Sequence, residues 1–434
     1  LKPFGLKYCS GDAWGVLEAP SPLTTTRPSR FARYLMAAAC PGILPEADER
    51  FMRRAVRLSE QGRRLTAPNP WVGAVIVASD GETVLGEGYH KGPGQPHAEV
   101  EAFRDAAARG TEDFTQATLY TTLEPCHRGP GKRTPPCDEL LVSKRIRRCV
   151  VGHVDPDPKF GGAGVQLMRS SGITVDVGTA GEEVRSSLRA YLHHRRTGLP
   201  YVVVKIATSL DGRIACADKT SQWITKTAAR QDAHRLRADS QAIMVGSGTA
   251  LQDKPSLTVR LPEETTLRAQ PLRVVLDTRG RVLEGPLLDI KLAPTLIFTC
   301  KSLCDPAAYK KWQDCGVDCC DVPLDDTAGP SDGQRLDLRA VLRELAGRGV
   351  LQLMVEGGAV LQGALLRAGL CEELRIYLGA TLLGSTAQPW AQTELTKTIG
   401  EARFWKLRTV RHLEDDVCLE YERPGSQPQD AAPA

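Results

Sequence analysis

The chain has 434 residues, of which 41% are hydrophobic and 25% charged, the proportions of a folded globular protein rather than a disordered one. Lys and Arg number 56 against 52 Asp and Glu, and a net charge of +4 lacks the clustered basic excess of a strong nucleic-acid binder. The longest apolar runs, such as 34–40, fall far short of the roughly 18 residues a membrane span needs, and the length calls for two hydrophobic cores.

The 13 cysteines are odd in number and irregularly spaced, which argues for free thiols and metal ligands in a reducing compartment rather than a disulfide framework. Residues 1–45 stand apart. No acid occurs between Glu18 and Glu46, while Arg27, Arg30 and Arg33 alternate with Thr24, Thr25, Thr26 and Ser29. Arg-rich, Ser/Thr-rich and acid-poor is the composition of an organellar transit peptide. The expectation is therefore an address, and a plastid location; without an address the protein is cytoplasmic.

Periodicity predicts a helix over Glu46–Gly62, a rigid turn at Ala67-Pro68-Asn69-Pro70, and strands over Val72–Ala78 and Thr83–Tyr89. A helix over His97–Arg109 stops at Gly110. A strand over Ala117–Leu123, a helix starting at Pro136 and a strand over Arg148–His153 complete an alternating α/β/α unit. The basic run 144–148 reads as a solvated helix end, and His193-His194 as cations at the C-terminus of a helix over Gly181–Arg196. Thr197-Gly198-Leu199-Pro200 is the expected boundary. Beyond it, strands over Tyr201–Ala207, Ala242–Val245, Arg273–Asp277, Thr295–Thr299, Val350–Val355 and Leu374–Leu378 alternate with helices over Lys226–Arg237, Leu336–Ala346 and Val360–Ala368. This is a second α/β unit. The Pro/Gln/Ala-rich end, 423–434, reads as a disordered tail.

His97-Ala98-Glu99 opens a helix, and Pro125-Cys126 follows the next strand. Catalytic zinc takes three imidazole or thiolate ligands and leaves a fourth position open. His97, Cys126 and Cys137 supply that set for one Zn2+, with Cys137 at a helix N-terminus that would favour its thiolate. Glu99 is then free to shuttle a proton between water and a leaving amine, the arrangement of a zinc deaminase. Ten residues, rather than the common two, separate the cysteines. Cys300, Cys304, Cys315, Cys319 and Cys320 form a second cluster, but without a nearby His they read as free thiols on a peripheral strand and loop.

The wide gap ending in Thr134-Pro135-Pro136-Cys137 resembles the riboflavin-pathway pyrimidine deaminases, of cytidine-deaminase-like fold. So do Ala67-Pro68-Asn69-Pro70, Gly88-Tyr89-His90, His97-Ala98-Glu99-Val100 and Asp155-Pro156-Asp157-Pro158. The resemblance implies substrate contacts from Asn69, His90 and Arg133. The sequence departs from the pattern in a loop two residues longer between the cysteines, in His127 beside Cys126, and in Trp71.

In the second unit, two strands run into glycines, at Gly246-Ser247-Gly248-Thr249 and at Glu356-Gly357-Gly358, as suits a phosphate-bearing ligand at a sheet's carboxyl edge. The words KIATSLDGR, SQWIT, TALQDKPSLTVR and VEGGAVLQGALLRAGLCEEL resemble the pyrimidine reductase half of the bifunctional bacterial riboflavin enzymes, of dihydrofolate-reductase-like fold. That likeness implies NADPH along Ala207, Trp223, Thr249, Asp253, Gly357 and Gly358. It also implies a pyrimidine ribose phosphate held by Lys205, Ser221, Arg237, Arg260 and Glu356. Asp253-Lys254 stands where the family commonly has two aspartates.

The expected organisation is an extension over 1–45, a deaminase over 46–196, a reductase over 200–422 and a tail over 423–434. The implied enzyme is a homo-oligomer acting on small pyrimidine ribose phosphates, with neither nucleic-acid nor membrane partners. Two other readings compete. One is a nucleic-acid deaminase, disfavoured by the Thr-Pro-Pro-Cys loop and the balanced charge; the other is a deaminase with a non-catalytic second half.

Overall fold

A computed structural model describes residues 45–129, 135–157, 161–261, 267–326 and 334–425. The address-like segment, the end of the chain beyond 425 and Arg133 lie outside them. Helix α1 (Pro45–Glu60) leads into a five-stranded sheet of β1 (Gly73–Val77), β2 (Val84–Tyr89), β3 (Thr118–Thr121), β4 (Arg148–Val151) and β5 (Thr174–Val177), in the order β2-β1-β3-β4-β5. β1 runs antiparallel to both neighbours, and β3, β4 and β5 are parallel.

Strand β1 shows why this sheet needs helices on both faces. Val75 and Val77 point into one buried cluster with Phe51, Met52 and Ala55 of α1, while Ala74 and Ile76 point into another. That second cluster draws on α2 (Ala98–Ala108), α3 (Cys137–Ser143) and α4 (Ala163–Ser170). Side chains alternate along a strand, so an unbroken apolar run is buried on both sides. The expected α/β/α sandwich is present.

Helix α5 (Gly181–Thr197) ends at Gly198 in the left-handed region (φ 70°), and β6 (Tyr201–Ser209) begins almost at once. A nine-stranded sheet follows. It contains β6, β8 (Ala242–Gly246), β9 (Leu272–Leu276), β10 (Thr295–Thr299), β11 (Asp318–Asp321), β12 (Gln352–Val355), β13 (Glu373–Gly379), β15 (Lys406–Leu413) and β16 (Asp416–Glu422). The order is β11-β10-β9-β8-β12-β6-β13-β16-β15, parallel from β11 to β13, with an antiparallel hairpin at the far edge. β7 (Arg213–Ala215) and β14 (Gln388–Pro389) pair separately. The helices are α6 (Thr227–Ala238), α7 (Ser247–Asp253), α8 (Pro306–Asp314), α9 (Leu338–Gly347) and α10 (Ala359–Arg367).

Each sheet has a buried cluster of its own on one face, and on the other face the two share one. Leu188, Tyr191 and Leu192 of α5 share one buried cluster with Val75 and Val150 of the first sheet and Tyr201, Val203 and Met354 of the second. The expected boundary at 197–200 is thus a tight turn beneath a shared layer.

Three local expectations are corrected. Arg148 is no solvated helix end: it lies on β4, where Nη1 and Nη2 donate to Asp48 at 2.8 and 2.7 Å. His193 is no cation, because burial pushes its imidazole down to about 4, helped by Arg423, and the ring packs edge-on to Tyr201. Arg423 does not belong to a loose tail; its guanidinium donates to Gly369 O at 3.0 Å and to Glu372 at 2.9 Å. Among the described residues no helix is long and apolar enough to cross a membrane.

Candidate active sites

The first site is set by how closely α2 lies on β2. A Cβ on Gly88 would fall 2.6 Å from Ala102 N, and one on Gly86 2.4 Å from Ala102 O, so only glycine lets the helix backbone press on the strand. That contact fixes His97, which caps α2, and Glu99 in its first turn. The His97 Nδ1 lies 3.5 Å from Cys126 Sγ and 3.4 Å from Cys137 Sγ. Zinc ligands at bond lengths near 2.1–2.3 Å in a tetrahedron stand ~3.6 Å apart. The trio fits Zn2+, and among the described residues it is the one His/Cys/Asp/Glu group drawn together closely enough to hold a metal ion.

The helix N-terminus acts on Cys126 rather than on Cys137. The Cys137 backbone N–H points at Cys126 Sγ from 3.4 Å. The Cys126 thiol is pulled far below its ordinary value chiefly by a side-chain hydrogen bond with the Cys137 thiol, then by His97 and the Cys137 backbone N–H, while the thiol–thiol bond and burial push Cys137 up. Glu99 is buried, and desolvation raises its carboxyl above the usual range.

Asn69 and His90 meet beside the trio. The His90 Nδ1 lies 3.0 Å from the Pro96 carbonyl, which can only accept, so the ring proton sits on Nδ1. Nε2 therefore accepts from Asn69 Nδ2 at 3.2 Å. Burial lowers the His90 imidazole, keeping it neutral, and its ring lies edge-on to His97 with centroids 5.2 Å apart.

Two carboxylates that sequence reasoning missed hold the loops in place. Glu124 accepts from the backbone N–H groups of Asp155 (3.1 Å), Gly162 (2.9 Å) and Val165 (3.0 Å), closing the start of α4 and pinning the Asp155-Pro156-Asp157 turn. Asp138, fully buried, lies 2.5 Å from His127 Nδ1. His127 thus turns toward Asp138, outside the metal trio. Their signal was adjacency, since each acid lies within two residues of a cysteine ligand.

The second site lies at the carboxyl edge of the nine-stranded sheet, where parallel α/β proteins leave a crevice. A cavity of about 1080 Å³ opens there, lined by Gly246–Thr249 at the start of α7 and Gly358–Leu361 at the start of α10. Thr249 Oγ1 accepts from the Gly358 N–H at 3.1 Å and ties the two helix starts together. Ser221 and Asp253 also line the cavity, as do Arg279 and Arg281, whose Nη2 donates to Ser247 Oγ at 2.5 Å.

Next to it, Arg237 grips Glu356 through Nε and through Nη2 (2.9 Å), and donates from Nη1 to Thr258 O at 3.0 Å. Lys205 Nζ stands 3.8 Å from Glu356. Burial alone would raise the Glu356 carboxyl, but Arg237 and Lys205 hold it down at about 2. Arg260 Nη1 donates to Ser256 Oγ at 2.8 Å.

These two sites have counterparts in known proteins. The RibD C-terminal domain family matches residues 200–419, and the cytidine and deoxycytidylate deaminase zinc-binding region matches 45–153. The riboflavin biosynthesis protein RibD of Chlamydia trachomatis is 41% identical over 387 residues, covering 88% of this chain and 98% of its own. The chain belongs to the RibD family. Escherichia coli RibD is 39% identical, with 86% of this chain and 98% of the relative covered. Among solved structures, Acinetobacter baumannii RibD superposes with a TM-score of 0.76 at 34% identity, over 88% of this chain and 99% of that one. A Thermotoga maritima diaminohydroxyphosphoribosylaminopyrimidine deaminase/5-amino-6-(5-phosphoribosylamino)uracil reductase gives 0.73 at 30%, over 87% and 99%.

RibD chains join a deaminase of cytidine-deaminase-like fold to a dihydrofolate-reductase-like reductase, and both halves are present here. The chain is a bifunctional deaminase and reductase of riboflavin biosynthesis.

Trp223 does not join Thr249, Asp253 and Gly358 at the large cavity. It is 68% exposed, under the Arg230 guanidinium at 4.6 Å, and lines a smaller cavity of about 410 Å³ with Thr225 and Lys226. Ala207 lies on β6, and Gly357 O accepts from Gln362 Nε2 at 2.5 Å. Lys254, next to Asp253, closes α7 with φ 40° and gives its ammonium to Glu284 at 2.6 Å.

Proposed function

We propose that the first site hydrolytically deaminates 2,5-diamino-6-(5-phosphoribosylamino)pyrimidin-4-one. The second would then reduce the ribosyl group of 5-amino-6-(5-phosphoribosylamino)uracil to ribityl with NADPH. The observation that carries this reading is the buried Glu99 beside the His97, Cys126 and Cys137 donor set, in a chain whose second sheet opens a dinucleotide-sized cavity. Zn2+ held by the trio would supply Lewis acidity toward water at neutral pH. Glu99, dry and raised, takes a proton and returns it to the leaving amine. Asn69 and neutral His90 orient the pyrimidine, and Arg133 carries part of its phosphate.

NADPH would supply a hydride to C1′ of the opened ribose. The glycines at both helix starts allow a pyrophosphate to approach backbone N–H groups, and Arg279 and Arg281 suit a further phosphate of the dinucleotide. Ala207, Trp223, Thr249, Asp253, Gly357 and Gly358 are the proposed cofactor residues. Lys205, Ser221, Arg237, Arg260 and Glu356 are proposed to hold the substrate. Three cations against one carboxylate at the last site match a dianionic phosphate, which argues against a merely structural second half.

The working enzyme, on this reading, divides near 196–200 and forms a homo-oligomer. Residues 1–44 precede the deaminase match, and the acid-poor, Arg-rich composition of 1–45 supports a plastid address. Fusing that segment to a fluorescent reporter tests it; a cytosolic signal in plant cells refutes the address. The enzymatic reading is tested by supplying the diaminopyrimidine with and without NADPH. Ammonia release without NADPH, followed by NADPH oxidation on its addition, is expected. Ammonia release with no NADPH oxidation would favour a non-catalytic second half.

A further inference from the structure

Three of the five N–H donors of Arg237 are already engaged. Nε and Nη2 serve Glu356, and Nη1 serves Thr258 O. The one N–H left on each Nη can reach a phosphate only beside donors from its neighbours, and α6 provides one that the sequence reading passed over. His234 lies three residues before Arg237, on the same helix face. Its Nδ1 accepts the Arg260 backbone N–H at 3.1 Å, its one hydrogen bond among the described residues. With Nδ1 accepting, the neutral ring carries its proton on Nε2. The ring lies within electrostatic reach of Arg237, Arg260, Glu356 and Lys205, and its Nδ1 contact ties it to the Arg260 backbone.

We infer that His234 is a substrate-binding residue of the reductase, donating from Nε2 to the substrate phosphate while its Nδ1 holds the Arg260 backbone in place. The inference rests on the proposed reading of Lys205, Arg237, Arg260 and Glu356 as the phosphate subsite. Burial, and then Arg237 and Arg260, push the imidazole down to about 4, so at neutral pH the ring keeps its accepting Nδ1. A protonated ring would have to release the Arg260 N–H. A neutral donor also adds a hydrogen bond without a fourth positive charge, leaving the net charge of the group matched to a phosphate dianion.

The test compares His234→Ala, His234→Gln and Arg260→Ala in the full chain. It uses NADPH with 5-amino-6-(5-phosphoribosylamino)uracil or with its dephosphorylated ribosyl analogue. Loss of a hydrogen bond to a charged group costs about tenfold or more in affinity. His234→Ala should raise KM for the phosphorylated substrate by about that factor, with kcat within about twofold. It should leave the analogue's KM and NADPH binding unchanged. Gln, which can accept and donate at once, should recover most of the loss. An unchanged KM in His234→Ala, or an equal loss on both substrates, overturns the role if Arg260→Ala still raises KM selectively for the phosphorylated substrate. If Arg260→Ala also shows no selective effect, the phosphate-subsite reading itself falls. NADPH binding by each variant reports a folded reductase, and His234→Gln carries the test if the alanine variant does not fold.

Discussion

Arg64 Nε donates to Asp239 Oδ1 at 2.7 Å, joining the turn after α1 to the residue that closes α6. Both side chains are largely shielded from water, and Arg63 Nε approaches the same carboxylate at 3.9 Å. The link runs between the element before Asn69 and the helix that carries His234 and Arg237. Arg63 in turn lies over Trp71 of the buried cluster that spans both sheets, 5.5 Å from the ring centre.

Because that cluster is continuous, residues 45–425 should unfold in one calorimetric transition rather than two. Asp239→Ala should lower the midpoint by about 2 °C, the effect of roughly 1 kcal/mol on a chain of this size. Two resolved transitions in the parent protein would contradict a shared core.

Glu99→Gln keeps the shape of the side chain and removes its capacity to take a proton. Deaminase turnover should fall by about 10²–10⁴-fold. Bound zinc, measured by elemental analysis, and NADPH oxidation on the deaminated substrate should both persist. Loss of the reductase step as well would be inconsistent with two independent sites.

Lys254 gives its ammonium to Glu284, and both side chains are more than half exposed. Its charge therefore faces solvent, and Lys254, unlike Asp253, does not line the cavity. Lys254→Ala should leave KM for NADPH within about twofold, whereas Asp253→Ala, which alters the lining, should raise it. Measuring both with saturating pyrimidine separates the two positions.

Most of the parallel core was legible because runs such as Ala242–Val245 and Thr295–Thr299 are apolar on both faces, and burial on both faces leaves that mark. Strand β11 was not. Its residues Asp318-Cys319-Cys320-Asp321 form an edge with one polar end at each side, and no alternating apolar run announces them. The β15–β16 hairpin escaped because β15 is an exposed edge strand and the buried face of β16 is mostly polar, with Asp416, Glu420 and Glu422 beside Cys418. The metal trio and Glu99 were readable from spacing, because zinc chemistry limits which residues can stand there. Glu124 and His234 were not, since their roles depend on which backbone N–H groups the fold brings to them.

Glu372 gives the fold a pH dependence that can be worked out in sign. It lies just before β13, where Oε2 accepts the Val202 N–H at 3.0 Å and Oε1 accepts from Arg423 Nη2 at 2.9 Å. Desolvation outweighs both bonds and pushes the carboxyl up to about 7. Between its unfolded value near 4.5 and about 7, the folded state therefore binds more protons than the unfolded one. Stability from this group is full below the lower value and falls as pH rises through the window, by roughly 3 kcal/mol in all. Glu372→Gln keeps an acceptor for Val202 and cannot ionise. Denaturant unfolding at pH 5 and pH 8 should show a variant whose stability falls less with pH than that of the parent. Parallel pH profiles for the two proteins would mean that Arg423 keeps Glu372 ionised across the whole window.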